Sequence, residues 1–116
     1  MWDAESIWWQ RIRLAEQVVK PSDTFVGTTD QIFSSLILQN QQWKNFIESA
    51  RPLALEHEFM YRNLKGEPFK QKVGEVLLHL FNHGTYHRGQ VVTMMRGLGY
   101  DKIPQTDLVV FQRIEK

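Results

Sequence analysis

Apolar residues open the chain at helical spacing. Ala4, Trp8, Ile12, Ala15 and Val19 form one stripe, flanked by Ile7, Trp9, Leu14 and Val18. Steps of three and four residues keep side chains on one helix face, so the pattern predicts a helix from Trp2 to about Val19, stopped by Pro21. A second stripe runs Ile32, Leu36, Asn40, Trp43, Ile47 and Ala50, widened by Phe33 and Phe46. It predicts a helix to about Ala50, whose start carries Thr28 and Gln31 at capping-box spacing. Asn40, the polar member of that stripe, reads as a buried hydrogen-bonding residue before it reads as a substrate contact. The period then changes. Leu53, Leu55, His57, Phe59 and Tyr61 alternate with Ala54, Glu56, Glu58, Met60 and Arg62, and period two predicts a strand. Asn63 to Glu67 is turn chemistry, and Pro68 confines a second strand to a sheet edge. The expectation is a hairpin of about 53–62 and 67–73, with His57 on a strand face. Leu77, Leu80, Gly84, His87, Val91 and Met94 predict a third long helix, from Val73 or Gly74 to Arg96, with Gly97 and Gly99 at its end. The tail, Tyr100 to Lys116, contains Leu108-Val109-Val110-Phe111, which predicts a short strand or an extended strip.

Totals narrow the function classes. At 116 residues the chain suits one domain. A net charge of +1 gives no electrostatic case for nucleic acid, and the short basic cluster Lys70–Lys72 reads as a solvated strand edge. No apolar run reaches the roughly 20 residues of a membrane span. The opening MWDAESIWWQR carries early acids and no apolar core, unlike a signal peptide. Zero cysteines exclude disulfides, thiolate ligands and a cysteine nucleophile. Any transition metal would be held by His, carboxylate and water, and the expected compartment is the cytoplasm.

Three of the four histidines lie in the third predicted helix, at His79, His83 and His87. Imidazoles one turn apart stack on one face and can hold one divalent ion. The same spacing also arises in a helix whose polar stripe happens to be His-rich. Gly84 and Gly89 lie among them, each about 1 kcal/mol worse than alanine inside a helix. They suggest that another backbone or a bulky side chain packs close by. His79 is rotated about 80° from His87 by the helical period, which favours a structural or outer role for it.

The stretch from Phe59 to Phe111 resembles the DinB-like family, the damage-inducible/YfiT-like group of helical-bundle metalloproteins. The carrying residues are Tyr61-Arg62-Asn63-Leu64-Lys65-Gly66-Glu67-Pro68-Phe69, then His79-Leu80-Phe81-Asn82-His83-Gly84-Thr85-Tyr86-His87-Arg88-Gly89-Gln90, with Gly99 and Thr106-Asp107 beyond. The resemblance implies a mainly α, up-and-down four-helix bundle, of which three long helices and a small β-hairpin before the last helix are expected here. It also implies a divalent metal, zinc or nickel, at a three-histidine site. His83 and His87 match two of the ligands. The third position falls at or before Met1, so a single domain that is N-terminally incomplete is expected, lacking the first helix and the first histidine ligand. His79, Arg88 and Glu5 are candidates for the outer shell of the site. Glu5, Asp3, His79 or a partner chain could also complete the coordination. With two histidines, metal binding is expected to be weak or absent.

The implied activity is that of a metal-dependent transferase or hydrolase acting on a small-molecule thiol or another small substrate, degenerate if the third ligand is missing. Arg88 would bind an anion or pair with an acid of the first helix. Tyr86 would pack, or donate a proton. The alternative is a non-catalytic, homodimeric, stress-related helical-bundle protein. In that case Trp2, Trp8, Trp9 and Ile12 would form the apolar surface buried between two copies. DNA binding follows only from the family's name and has no support in the charge.

Overall fold

The computed structural model describes residues 1–114. In order they form α1 (Trp2–Ile12), a 3-10 turn (Pro21–Asp23), α2 (Thr29–Ser49), α3 (Pro52–Glu56), β1 (Glu58–Arg62), β2 (Pro68–Lys72), α4 (Val73–Gly97) and α5 (Leu108–Ile114). The chain is thus mainly α, with an antiparallel hairpin ahead of the long helix. It divides into two compact units, Met1–Phe81 and Asn82–Lys116, with the boundary inside α4.

In the first unit α1 is shorter than its stripe predicts, ending at Ile12 and not near Val19. The ending is a Schellman motif: the Leu14 N–H donates to Arg11 O at 3.0 Å and the Ala15 N–H to Gln10 O at 3.0 Å. Leu14 takes the left-handed position, at φ 56°. The following chain doubles back along α1. The Gln10 side chain holds both polar groups of Val19, accepting from its N–H at 2.9 Å and donating to its carbonyl at 2.8 Å. The Asp3 carboxylate accepts from the Ser22 N–H and hydroxyl, and Trp2 meets Phe25 edge-on at 5.5 Å.

α2 begins as expected, with both capping-box bonds formed: Gln31 N–H to Thr28 Oγ1 at 3.3 Å, and Thr28 N–H to Gln31 Oε1 at 2.8 Å. It runs beside α1 in the same sense. Trp43 Nε1 donates to Glu5 O at 3.2 Å, and Trp9 meets Trp43 at 5.1 Å and Phe46 at 6.0 Å. Trp43, Phe59, Val73, Val76, Leu77 and Leu80 form the buried core, with Trp8, Trp9, Ile12, Phe46 and Tyr61 packed on it. The tryptophans of α1 are therefore half-buried within the chain. α2 carries apolar side chains that are more exposed than these tryptophans, with Phe33 58% and Ile37 67% exposed. Asn40 does bond, donating to Glu5 Oε2 and to Leu36 O, but it is exposed, not buried.

The hairpin is shorter than period two predicts. Pro52 starts the helical turn α3, so Leu53 to Glu56 are not strand, and His57 joins α3 to β1 instead of lying on a strand. Pairing runs from Glu58 opposite Lys72 to Arg62 opposite Pro68. Asn63 Oδ1 organises the turn by accepting from the Lys65 and Glu67 N–H groups, each at 2.9 Å. Lys70 pairs with Glu58 at 2.8 Å and Lys72 with Glu56 at 2.7 Å. The Val73 N–H donates to His57 O at 3.0 Å. A Cβ at Gly74 would stand 3.2 Å from the Leu55 carbonyl, so glycine suits that approach.

The second unit holds the C-terminal part of α4, its cap and α5. α4 ends in the same motif as α1. The Gly99 N–H donates to Arg96 O and the Tyr100 N–H to Met95 O, but here a glycine takes the left-handed position, at φ +87°. Leu108 to Phe111, expected as a strand or strip, are helical. Their N–H groups start on Asp107, whose carbonyl accepts from Val110 at 3.0 Å and Phe111 at 3.2 Å. Glu115 and Lys116, the end of the predicted tail, lie outside the described residues.

Candidate metal centre

His83 and His87 sit on consecutive turns of α4 in the second unit, both partly buried. Their Nε2 atoms are 2.9 Å apart, and the rings meet edge-to-face with centroids 4.5 Å apart. One turn of helix is enough to bring them together, because side chains at i and i+4 lie over each other.

The hydrogen bonds fit one placement of the protons. His87 Nδ1 stands 2.8 Å from Gln90 Oε1, and a carbonyl oxygen only accepts. Gln90 Nε2 in turn donates to the Tyr86 hydroxyl at 3.1 Å. In that placement, with Gln90 Oε1 accepting, neutral His87 carries its proton on Nδ1 and presents a lone pair at Nε2. His83 supplies the Nε2–H between the rings.

This arrangement fits two positions of a metal's coordination sphere. Two imidazole nitrogens bound to zinc at about 2.0–2.1 Å stand about 3.3 Å apart, close to the separation between the rings. A His ligand commonly donates its other N–H to a fixed acceptor, as His87 does to Gln90. His83 needs only to move its proton from Nε2 to Nδ1 to present a second lone pair. Among the described residues, however, no group of three or more His, Asp or Glu side chains is gathered as a metal site.

The other residues singled out in the sequence have the following partners. In the first unit, His79 meets the Trp8 ring at 5.7 Å, and Glu5 accepts from Asn40 Nδ2. Asp3 is engaged with Ser22. In the second unit, Arg88 donates to Thr85 Oγ1 at 2.9 Å, so its bond is local. Tyr86 is 64% exposed rather than packed. Crowding does not account for the glycines. Among the described residues a Cβ at Gly89 would meet nothing within 4 Å, and one at Gly84 would meet only the Arg88 side chain, at 3.3 Å. Sequence reasoning missed Gln90 as the residue that orients His87. Its place three residues beyond a helical histidine was the available signal.

The family model of the DinB family matches residues 1–116. Protein DinB of Bacillus subtilis (strain 168) is 31% identical over 90 residues, covering 78% of this chain and 45% of the relative. The aligned stretch thus spans less than half of that relative's length. No solved structure gives a significant match. With a family model matched along its whole length, this chain belongs to the DinB family.

Proposed function

We propose that this DinB-family chain is a metal-dependent enzyme of the thiol transferase or hydrolase class, with His83 and His87 as ligands of a divalent ion such as zinc or nickel. The observation that carries the reading is the convergence of the two Nε2 atoms, with the far nitrogen of His87 anchored on Gln90. Bound there, such an ion would supply a water or thiol made acidic enough to act as a nucleophile at neutral pH. The chain's own part is to hold and orient: His83 and His87 give the lone pairs, and Gln90 fixes the His87 ring. Arg88, exposed one residue further along α4, is placed to meet an anionic group of a small substrate. Two protein donors leave the remaining positions to water, substrate, a carboxylate or a second chain, so the ion is held weakly. A cytoplasmic location goes with this reading.

Calorimetric titration of the 116-residue chain with zinc and with nickel tests it. Saturable binding of one ion per chain is expected, lost in His83→Ala and in His87→Ala. Gln90→Leu should weaken it by about tenfold or more, the usual effect of removing a ligand's outer partner. No binding by the unmodified chain, or equal binding by the His83→Ala/His87→Ala double variant, sinks the assignment.

A second reading is a non-catalytic homodimer with a stress-related role. The exposed apolar residues of α2, Phe33, Ile37 and Leu38, favour it. Light scattering at micromolar concentration decides the oligomer. A monomer mass removes this reading, and a dimer that Phe33→Glu dissociates supports it.

A further inference from the structure

Arg11, on the last turn of α1, is only 9% exposed. Its guanidinium lies over the Trp8 ring at 4.6 Å and the Tyr61 ring at 5.1 Å. These rings accept the face of the cation but none of its N–H edge. The Nε of Arg11 is buried with no hydrogen-bond partner, and among the described residues no carboxylate pairs with the group. Burial lowers its pKa from the usual value, with only Tyr61 acting against that. A buried cation without an anion is unusual, because desolvation is normally offset by a paired charge.

Arg11 also lines a cavity of about 520 Å³ in the first unit, between the end of α1 and the hairpin. That volume falls in the range of small-molecule sites. Its wall is largely apolar, with Leu14, Val18, Met60 and Leu64, and Arg62 is a second cation on it. Arg62 is already engaged with Gly66 O at 2.7 Å. Glu16 is the lining carboxylate; it makes no ion pair with either arginine among the described residues and disfavours a ligand of high negative charge. Guanidinium is planar and matches the two oxygens of a carboxylate.

We propose that this cavity binds a small monocarboxylate with an apolar body, the carboxylate on Arg11 and the body against Leu14, Val18, Met60 and Leu64. The site is independent of the histidine pair and stands whether or not that pair holds a metal.

Hexanoate is the probe, titrated into the 116-residue chain by calorimetry and followed by tryptophan fluorescence, since Trp8 lies under Arg11. Saturable binding of one hexanoate per chain in the millimolar range or tighter is expected. Acetate, which lacks the apolar body, should bind at least tenfold more weakly, and hexylammonium should not bind. Arg11→Met keeps the stem, removes the charge and should abolish binding. Should that variant fail to fold, Ala15→Trp fills the cavity while leaving Arg11 in place, and should weaken hexanoate at least tenfold. Failure of the unmodified chain to saturate overturns the proposal, as does acetate binding as tightly as hexanoate. Undiminished binding by Ala15→Trp, or inorganic phosphate binding more tightly than hexanoate, overturns it equally.

Discussion

The first unit is held by large rings, and the candidate chemistry of the second is held by small polar contacts. Trp43 is 2% exposed and Val76 1%, and three aromatic pairs lock Trp9, Trp43 and Phe46 together. Around His83 and His87 the holding contacts are hydrogen bonds between residues three and four apart on one helix. The contrast separates two ways of fixing a side chain. Trp9 is positioned by rings distant in sequence, Trp43 and Phe46, and losing a core ring leaves a void. The histidines are positioned by the helix itself, and losing one changes chemistry while leaving the packing intact.

Replacing Trp43 with alanine is the severest test of the contrast. It should cost about 3–5 kcal/mol, the range for truncating a buried aromatic, and also remove the hydrogen bond from Trp43 to Glu5 O. His87→Ala should stay within about 0.5 kcal/mol of the unmodified chain, as partly exposed polar sites do. Urea denaturation of both variants checks this. A large loss at His87 would show that the second unit depends on the imidazole for its packing.

The two Schellman endings sharpen the comparison at smaller scale. Gly99→Ala forces a Cβ into the left-handed region and should destabilise by about 1 kcal/mol. Leu14→Gly relieves the same penalty at the end of α1. The strain of about 1–2 kcal/mol is partly offset by the greater freedom of glycine in the unfolded chain, about 0.5–1 kcal/mol. A net gain of about 0.5–1 kcal/mol is expected, read as a higher denaturation midpoint. A loss would mean that the exposed Leu14 side chain packs more productively than its 66% exposure suggests.

The smallest effect belongs to the hairpin's ion pairs. The hydrogen bond from Lys70 holds the Glu58 carboxyl below its usual 4.5. A group whose pKa is lower folded than unfolded adds stability above the unfolded value and loses it as pH falls through the folded one. The contribution of Glu58 therefore fades below about pH 4.5. Lys72, raised above 10.5 by its hydrogen bond to Glu56, contributes below that value and loses its effect as pH rises through the folded pKa. Glu58→Gln should flatten only the acid limb of denaturation midpoint against pH, and by little, because the pair is exposed to solvent.

Elements whose instructions are local were legible in the sequence. Thr28 and Gln31 announce α2 because both capping partners lie within one turn. The i, i+4 spacing of His83 and His87 places their rings together for the same reason. Elements where a second signal overrides the apolar pattern were not. Leu14, Val18 and Val19 continue the stripe of α1, yet the chain reverses because Gln10 captures Val19 and Asp3 captures Ser22. Leu53 and Leu55 alternate like a strand, but Pro52 supplies a helical first position and its preset φ. Leu108 to Phe111 have strand-like composition, and the carbonyl of Asp107 starts a helix there. Arg11 left no mark in the pattern of apolar positions, since an arginine on a helix reads as solvated until the Trp8 and Tyr61 rings are seen around it.

Between α1 and α2 the backbone is clasped by side chains and not by a repeating ladder. Gln10 holds Val19, Asp3 holds Ser22, and Trp2 holds Phe25. None of these clasps involves the Trp9–Trp43 contact, so the strap is expected to open at a lower free energy than the unit unfolds. Amide hydrogens from Val19 to Thr24 should exchange far sooner than those of the facing turns of α2, and a protease should nick the chain there first. Because the cavity beside Arg11 is walled in part by Leu14 and Val18 at the near end of that strap, opening of the strap would change its size, and a ligand seated there would slow exchange along the segment.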